Sequence, residues 1–236
     1  MKKLIVFLLA AVLMLCAAGS PALAAELPPE ELVIGKNAAL PAELRENFLD
    51  VRAGTAMPTT EDIVVIKDGV FKITSSGVTA TIELPFGWMG FTQDLKAQMN
   101  DYLNTFKEPR KVVEYLISKG ISLIAFDAAS EAQIIVFFET DAASNLFMDL
   151  QDPDMFDLAV GLYQGNASEG NEVSGVVMND RNFVRSLNVW QDGSSLAYIT
   201  ILHGVKAGFE LYPDGREVTE SESEALDAMV EATILE

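Results

Sequence analysis

Residues 172–212 read EVSGVVMNDRNFVRSLNVWQDGSSLAYITILHGVKAGFELY, and this stretch decides the fold. Four apolar runs rich in β-branched and aromatic residues are separated by short breaks of turn-forming residues. The breaks lie at 179–180 (Asn-Asp), 192–193 (Asp-Gly) and 203–204 (His-Gly). Breaks this short join antiparallel strands, because a parallel connection needs a dozen residues or more. The stretch therefore predicts four consecutive antiparallel strands.

The region before this stretch adds more strands. Residues 62–66, 70–74 and 78–84 are short strand-like runs, and Asp68-Gly69 is a hairpin signal between the first two. Residues 121–126 and 132–138 are continuous apolar runs of the kind found in strands buried on both faces. The first three runs predict a meander, and the last two predict buried strands.

Helical patterns interrupt the strands at four places. Residues 95–106 have helical spacing, and Pro109 opens a second helix that Gly120 ends. Asp152 and Pro153 predict the cap and first turn of a third helix that stops at Gly165. The fourth helix begins with a capping box at Thr219 and Glu222. Its apolar face consists of Leu226, Met229, Val230 and Thr233.

Strands joined by hairpin turns and interrupted by helices predict an α+β fold. We expect a central antiparallel sheet with helices packed on its faces, because several strands are apolar on both sides. A parallel dinucleotide-binding sheet is disfavoured, since most strands lack crossover helices. We assign this domain to residues 61–236, after a proline-containing linker or N-terminal arm at residues 25–60.

The first 24 residues have the organisation of a signal peptide. Lys2 and Lys3 precede an apolar run, and Ala22-Leu23-Ala24 fits the small-x-small cleavage rule. We expect cleavage after Ala24 or Ala25 and a secreted or extracytoplasmic mature chain. The apolar run is too short for a permanent membrane span, so no transmembrane span is expected in the mature chain.

The charge balance disfavours several partners. The chain carries 16 basic and 35 acidic residues, and loss of Lys2 and Lys3 with the signal leaves a net charge of −21. Such a surface repels nucleic acid and anionic lipid. It could attract basic partners or divalent cations, or it could serve solubility alone. We expect no binding to nucleic acid.

Candidate catalytic residues are few. His203 is the single histidine and falls at a turn, and bulky Leu15 before Cys16 argues against lipidation at that cysteine. Without Cys16 the mature chain has no thiol for disulfides, thiolate catalysis or thiolate metal sites. The carboxylates at 149–157 (DLQDPDMFD) lack calcium-loop spacing, and helix capping explains them more simply. We expect no cofactor, no metal site and no catalytic set.

One stretch raises the question of binding directly. Residues 83–95 (ELPFGWMGFTQDL) place several large apolar side chains around a bend at Pro85 and Gly87. The bend suggests strand exit, an aromatic plug and entry into a helix. The aromatic side chains either pack as a corner of the core or form an exposed patch for a partner. The candidate patch consists of Phe86, Trp88, Met89 and Phe91.

Three segments resemble a known family in their order. They are 76–94 (SGVTATIELPFGWMGFTQD), 114–128 (EYLISKGISLIAFDA) and 207–234 (AGFELYPDGREVTESESEALDAMVEATI). Together they look like secreted bacterial proteins with a PsbP-like domain, in which a bend of the form P-x-G-W follows an early strand. The resemblance implies an antiparallel sheet between helices over residues 61–236. It implies no functional residue, because its motifs are structural.

These observations predict a secreted, non-enzymatic binding or accessory module. Its expected partner is an unknown protein or envelope component, at the cell envelope or outside the cell. Two alternatives stay open on the sequence. One is a hydrolase that uses Asp or Glu, and the other is a calcium-stabilised adhesion domain.

Overall fold

The computed structural model describes residues 63–67, 70–93, 109–127, 129–140, 148–213 and 215–236. These residues form eleven strands and three helices. The strands are β1 (Ile63–Lys67), β2 (Val70–Ser75), β3 (Val78–Glu83), β4 (Trp88–Thr92), β5 (Ile121–Asp127), β6 (Gln133–Glu139), β7 (Glu172–Met178), β8 (Arg181–Trp190), β9 (Gly193–Leu202), β10 (Val205–Tyr212) and β11 (Ile234–Leu235). The helices are α1 (Pro109–Ser118), α2 (Pro153–Asn166) and α3 (Glu220–Ala232).

A seven-stranded antiparallel sheet forms the centre of the fold, in the order β4-β5-β6-β10-β9-β8-β7. The four consecutive strands predicted from residues 172–212 are β7 to β10, and each pairs antiparallel with the next. Asn179 and Asp180 adopt φ of 46° and 58°, and His203 adopts 51°, as two-residue hairpin turns require. β10 then pairs with β6, which joins the hairpin β5–β6 to this meander.

A second, four-stranded sheet has the order β1-β2-β3-β11. The predicted meander forms its first three strands. The fourth strand follows α3, because Ile234 and Leu235 pair with Thr81 and Ala80 of β3. This apolar pair forms the edge of the sheet next to β3.

The layers follow from the alternation of side chains along the central strands. In β6, Ile134 and Val136 face a large core shared with the four-stranded sheet and α3, whereas Ile135 faces a core shared with α1. In β8, Phe183 faces the first core and Val184 faces α2. Successive residues of a strand point to opposite faces. The central sheet therefore has α1 and α2 on one face, and α3 with the smaller sheet on the other.

The helix ends agree with the sequence prediction. The Asp152 carboxylate accepts hydrogen bonds from the backbone N–H groups of Asp154 and Met155, and Pro153 occupies the first turn. Thr219 and Glu222 form the complete capping box. Gly120 follows α1 with φ of +65°. The third predicted helix runs one residue past Gly165, to Asn166.

The predicted α+β class, with antiparallel strands and helices packed on them, is confirmed. One local prediction is wrong. Residues 88–92 form strand β4, which pairs with β5, and do not lead directly from the bend into a helix. The signal segment 1–24, the arm 25–60 and the predicted helix 95–106 lie outside the described residues. No helix in the described ranges has the length and apolarity needed to cross a membrane.

Candidate functional site: an aromatic turn between the two sheets

A tight turn carries the chain from β3 of the smaller sheet to β4 of the central sheet. Trp88 N–H donates a hydrogen bond of 3.1 Å to the Pro85 carbonyl. Gly87 has φ of +89°, the conformation that the third position of a type II turn requires. Phe86 occupies the second position and is fully exposed. The turn therefore presents an aromatic ring to solvent on a closed loop of backbone.

The second glycine of the stretch has a packing role. A Cβ at Gly90 would lie 2.7 Å from Phe71 Cζ and 2.8 Å from Leu84 Cδ1. Phe71 belongs to β2 and Leu84 follows β3, so β4 lies close to the smaller sheet at Gly90. The absence of a side chain at this position lets the two sheets meet directly behind the Phe86 turn.

The structure does not bring the four predicted patch residues together. Trp88 is half-buried against the core shared with the smaller sheet. Phe91 is 2% exposed and packs with α1 on the opposite face of the central sheet. Its ring meets Phe126 edge to face at 5.9 Å. Phe91 is therefore a core residue, which corrects its place in the surface patch.

The physical reason is the two-residue period of a strand. Because Trp88 to Thr92 form β4, Trp88 and Phe91 point to opposite faces of the sheet. Met89 is half-buried on the side of Phe91. Phe86, in the turn, is the fully exposed member of the predicted set.

A buried polar network crosses β8, β9 and β10, and sequence reasoning missed it. Ser195 Oγ donates to Glu210 Oε1 at 2.7 Å, and both residues are buried. Asn188 Nδ2 donates to Ser195 Oγ at 3.4 Å, and Ser186 Oγ donates to Asn188 Oδ1 at 2.9 Å. The one clue in the sequence to this network was Glu210, an acidic residue inside the apolar run of β10. Ser195 and Glu210 lie within the protein, whereas Asn188 is partly exposed and accepts a hydrogen bond from Asn171 Nδ2.

A second polar cluster lies between the central sheet and α3. Tyr198 Oη donates to Asp227 Oδ1 at 2.6 Å, and Arg185 Nε donates to Tyr198 Oη at 3.0 Å. Burial, and then the hydrogen bond to Asp227, raise the pKa of Tyr198 to about 12. The phenol therefore stays protonated and links β8 and β9 to α3.

An ion pair anchors the start of α3. Arg216 binds both carboxylate oxygens of Glu222, at 2.5 and 2.9 Å, and donates to the Ser130 carbonyl at 3.1 Å. Burial by itself would raise the pKa of Glu222. The hydrogen bonds from Arg216 and Thr219 outweigh that effect and lower the pKa to about 2. The pair fixes the capping box against the β5–β6 turn.

The remaining candidates for chemistry have structural roles. Asp149 accepts a hydrogen bond from the Gln151 N–H, and Asp152 caps α2, so neither carboxylate is directed at a shared centre. His203 is exposed in the β9–β10 turn. Within the described residues, no group of three or more His, Cys, Asp or Glu side chains is placed to hold a metal ion.

Comparison with known proteins gives structural likenesses and no match of sequence. No protein-family model matches the chain. No curated protein sequence matches it either. One similar structure is the solution structure of cyanobacterial PsbP (CyanoP) from Synechocystis sp. PCC 6803. The similarity covers 80% of this chain and 99% of the CyanoP chain, with 13% sequence identity and a TM-score of 0.34. We transfer no site residue and no partner from it.

Proposed function

We propose that this chain is a non-enzymatic binding or accessory module with a PsbP-like domain, which acts at the cell envelope or outside the cell. The observation that supports the proposal is the Phe86 ring, fully exposed on a turn closed by the Pro85–Trp88 hydrogen bond. Aromatic side chains contribute a large contact area and dominate many interfaces. A ring held on a closed turn also loses little backbone freedom when a partner binds.

The charge of the chain favours a basic partner surface around this ring. The net charge is −19 over the whole sequence, and it becomes −21 without the two lysines of the signal. Complementary charge accelerates encounter and rejects partners of like charge. We therefore expect a protein or envelope component with a basic surface and an apolar pocket that accepts Phe86.

Export of the chain is the part of the proposal that can be tested first. Lys2, Lys3 and the small-x-small site at 22–24 support it. Cell fractionation combined with mass spectrometry of the mature N-terminus should find the protein outside the cytoplasm, beginning at Ala25 or Glu26. A cytoplasmic protein that keeps Met1–Ala24 would contradict the proposed location.

Binding through Phe86 can be tested by site-specific photo-crosslinking in the cells that produce the protein. Phe86 is replaced by a photoreactive phenylalanine analogue, and His203, an exposed residue in the β9–β10 turn, is replaced in a control. We expect one crosslinked partner from position 86 and none of the same mass from position 203. Phe86→Ser should abolish co-purification of that partner. The same adducts from both positions would contradict the proposal.

A further inference from the structure

Strand β7 ends the central sheet, and no described strand pairs with its outer edge. Among the described residues it pairs with β8 along one side, over an unbroken register from Glu172↔Leu187 to Met178↔Arg181. A two-residue turn closes this hairpin, and the pair that flanks such a turn is hydrogen-bonded. Because hydrogen-bonded and non-hydrogen-bonded pairs alternate, the backbone groups of Val173, Gly175 and Val177 point away from β8.

A contact from α2 independently identifies this edge. Gln164 Nε2 donates a hydrogen bond of 3.0 Å to the Val173 carbonyl, which is therefore not used by β8. The N–H of Val173 and both backbone groups of Gly175 and Val177 make no hydrogen bond within the described part of the chain. Five outward backbone groups thus remain open to another strand.

Most of the usual protections of an edge strand are absent from β7. Natural proteins block such edges with proline, charged side chains, bulges, short strands or a covering helix. Here Gln164 of α2 covers the Val173 carbonyl, and Glu172 is the one charged residue of the strand. The strand EVSGVVM has seven residues, no proline, no lysine and no register shift. The Val177 side chain is 65% exposed at the end of this edge. The strand therefore has the geometry of a template for pairing.

The surroundings of the edge are acidic. Asp157 precedes Gln164 by two helical turns, so it lies on the flank of α2 that reaches the edge. Asp154 and Asp157 are exposed on α2, and Glu169 and Glu172 are exposed at the start of the strand. No ion pair joins these four carboxylates to a described residue. A strand placed against β7 would lie beside them.

From this juxtaposition we propose that the free edge of β7 binds an extended segment of a basic polypeptide as an eighth strand of the central sheet. Its backbone pairs with the N–H of Val173 and with both backbone groups of Gly175 and Val177, and its lysine or arginine side chains on the α2 face of the sheet meet the carboxylates of α2. Addition of a strand to an exposed edge is a general mode of peptide recognition. A second copy of this chain fits less well, because it would bring the acidic flank of α2 against its own equivalent.

This inference rests on the proposed binding function but concerns a different surface. The Phe86 turn adjoins β4, which lies at the opposite end of the strand order from β7. Phe86→Ser should therefore leave binding at β7 unchanged. A failure at one surface does not imply a failure at the other.

The test uses a synthetic peptide of nine residues in which lysine alternates with valine, with acetyl and amide ends. Its affinity for the full chain is measured by calorimetry. A matched peptide carries N-methyl groups on alternate backbone nitrogens, which keeps the charge and removes the donors needed for pairing. We expect the N-methylated peptide to bind at least about fivefold more weakly, the size of one net hydrogen bond. A glutamate–valine peptide should not bind.

Variants of the protein test the same contact from the other side. Val177→Pro removes an outward N–H and obstructs the edge, a position where sheets tolerate proline, and Val177→Thr keeps the N–H. We expect Val177→Pro to weaken binding by at least about fivefold and Val177→Thr to leave it unchanged. Asp157→Asn should also weaken it, whereas Glu131→Gln, in the β5–β6 turn, should not.

Four results would overturn the proposal. In the first, the lysine–valine peptide does not bind. In the second, the N-methylated peptide binds as tightly as the unmodified one. In the third, Val177→Pro binds the peptide as tightly as the wild-type chain does. The fourth is self-association of the wild-type chain in sedimentation that Val177→Pro abolishes, since the occupant would then be a second copy. If Val177→Pro fails to fold, the comparison of the two peptides on the wild-type chain decides by itself.

Discussion

Ser195 Oγ donates a 2.7 Å hydrogen bond to Glu210 Oε1 between neighbouring strands, and both side chains are at most 2% exposed. Loss of a donor to a buried carboxylate weakens its hydrogen bonding where water cannot replace the donor. Ser195→Ala should therefore lower the free energy of unfolding by about 1–3 kcal/mol. Ser186→Ala, which removes a donor to the amide of Asn188, should cost about 1 kcal/mol or less. Urea unfolding followed by tryptophan fluorescence compares the two, and an equal cost would show that the Glu210 contact is not special.

Glu222 makes stability depend on pH at the acid end. Its pKa is lowered from 4.5 to about 2 in the folded chain, so its contribution is fully present above pH 4.5 and is lost as the pH falls toward 2. Glu222→Gln should destabilise the protein at pH 7 by about 1–2 kcal/mol, because it removes the charge that pairs with Arg216 while the Thr219 cap remains. The difference in free energy of unfolding between wild type and Glu222→Gln should shrink as the pH falls from 4.5 to about 2.

The control for this effect is Glu220→Gln, an exposed carboxylate in the same first turn of α3. It removes a charge from the helix start without touching Arg216. Thermal melts at several pH values should show the narrowing gap for Glu222→Gln alone. A similar pH dependence for both variants would mean that the helix dipole, not the ion pair, is responsible.

Two glycines should respond oppositely to alanine. At Gly90 a new Cβ would meet Phe71 and Leu84 at 2.7 and 2.8 Å, so Gly90→Ala should destabilise by about 1–3 kcal/mol. At Gly161, on the exposed side of α2, a Cβ would meet no atom within 4 Å. Gly161→Ala should stabilise by up to about 1 kcal/mol, because alanine is the better helix former. Chemical denaturation measures both, and a stable Gly90→Ala would contradict the close approach of the sheets.

Two phenylalanines of one short stretch should also differ. Phe91 is buried against α1, and Phe91→Ala should cost about 3–5 kcal/mol. Phe86 is fully exposed, and Phe86→Ser should change stability by no more than about 0.5 kcal/mol. Equilibrium unfolding of the two variants tests the division of the stretch into core and surface. A large loss from Phe86→Ser would show that its ring is packed.

Local patterns in the sequence were sufficient to predict the turns and helix caps. The turns at 179–180 and 203–204, the cap at Asp152 and the box at Thr219 and Glu222 all occur as predicted. Each depends on residues within four positions of one another, so the information is contained in a short window. The same windows predicted the α+β class, because hairpin-length turns dictate antiparallel neighbours.

The candidate site depended on contacts that a short window does not contain. Nothing local distinguishes WMGFT as a strand, since its pairing partner β5 lies about 35 residues further along the chain. That pairing decides that Phe91 enters the core while Phe86 stays in solvent. Ser195 and Glu210 likewise meet because β9 and β10 are in a particular register.

The sequence by itself determined where strands, turns and helix caps occur, because these follow from backbone preferences and hydrogen bonds between near neighbours. The tertiary structure alone decided that the described strands divide into two sheets, that Ile234 and Leu235 join the smaller one, and that β7 has no described strand on its outer side in the larger one. Strand order arises from the burial of distant apolar faces against one another, and no single segment encodes its own neighbour.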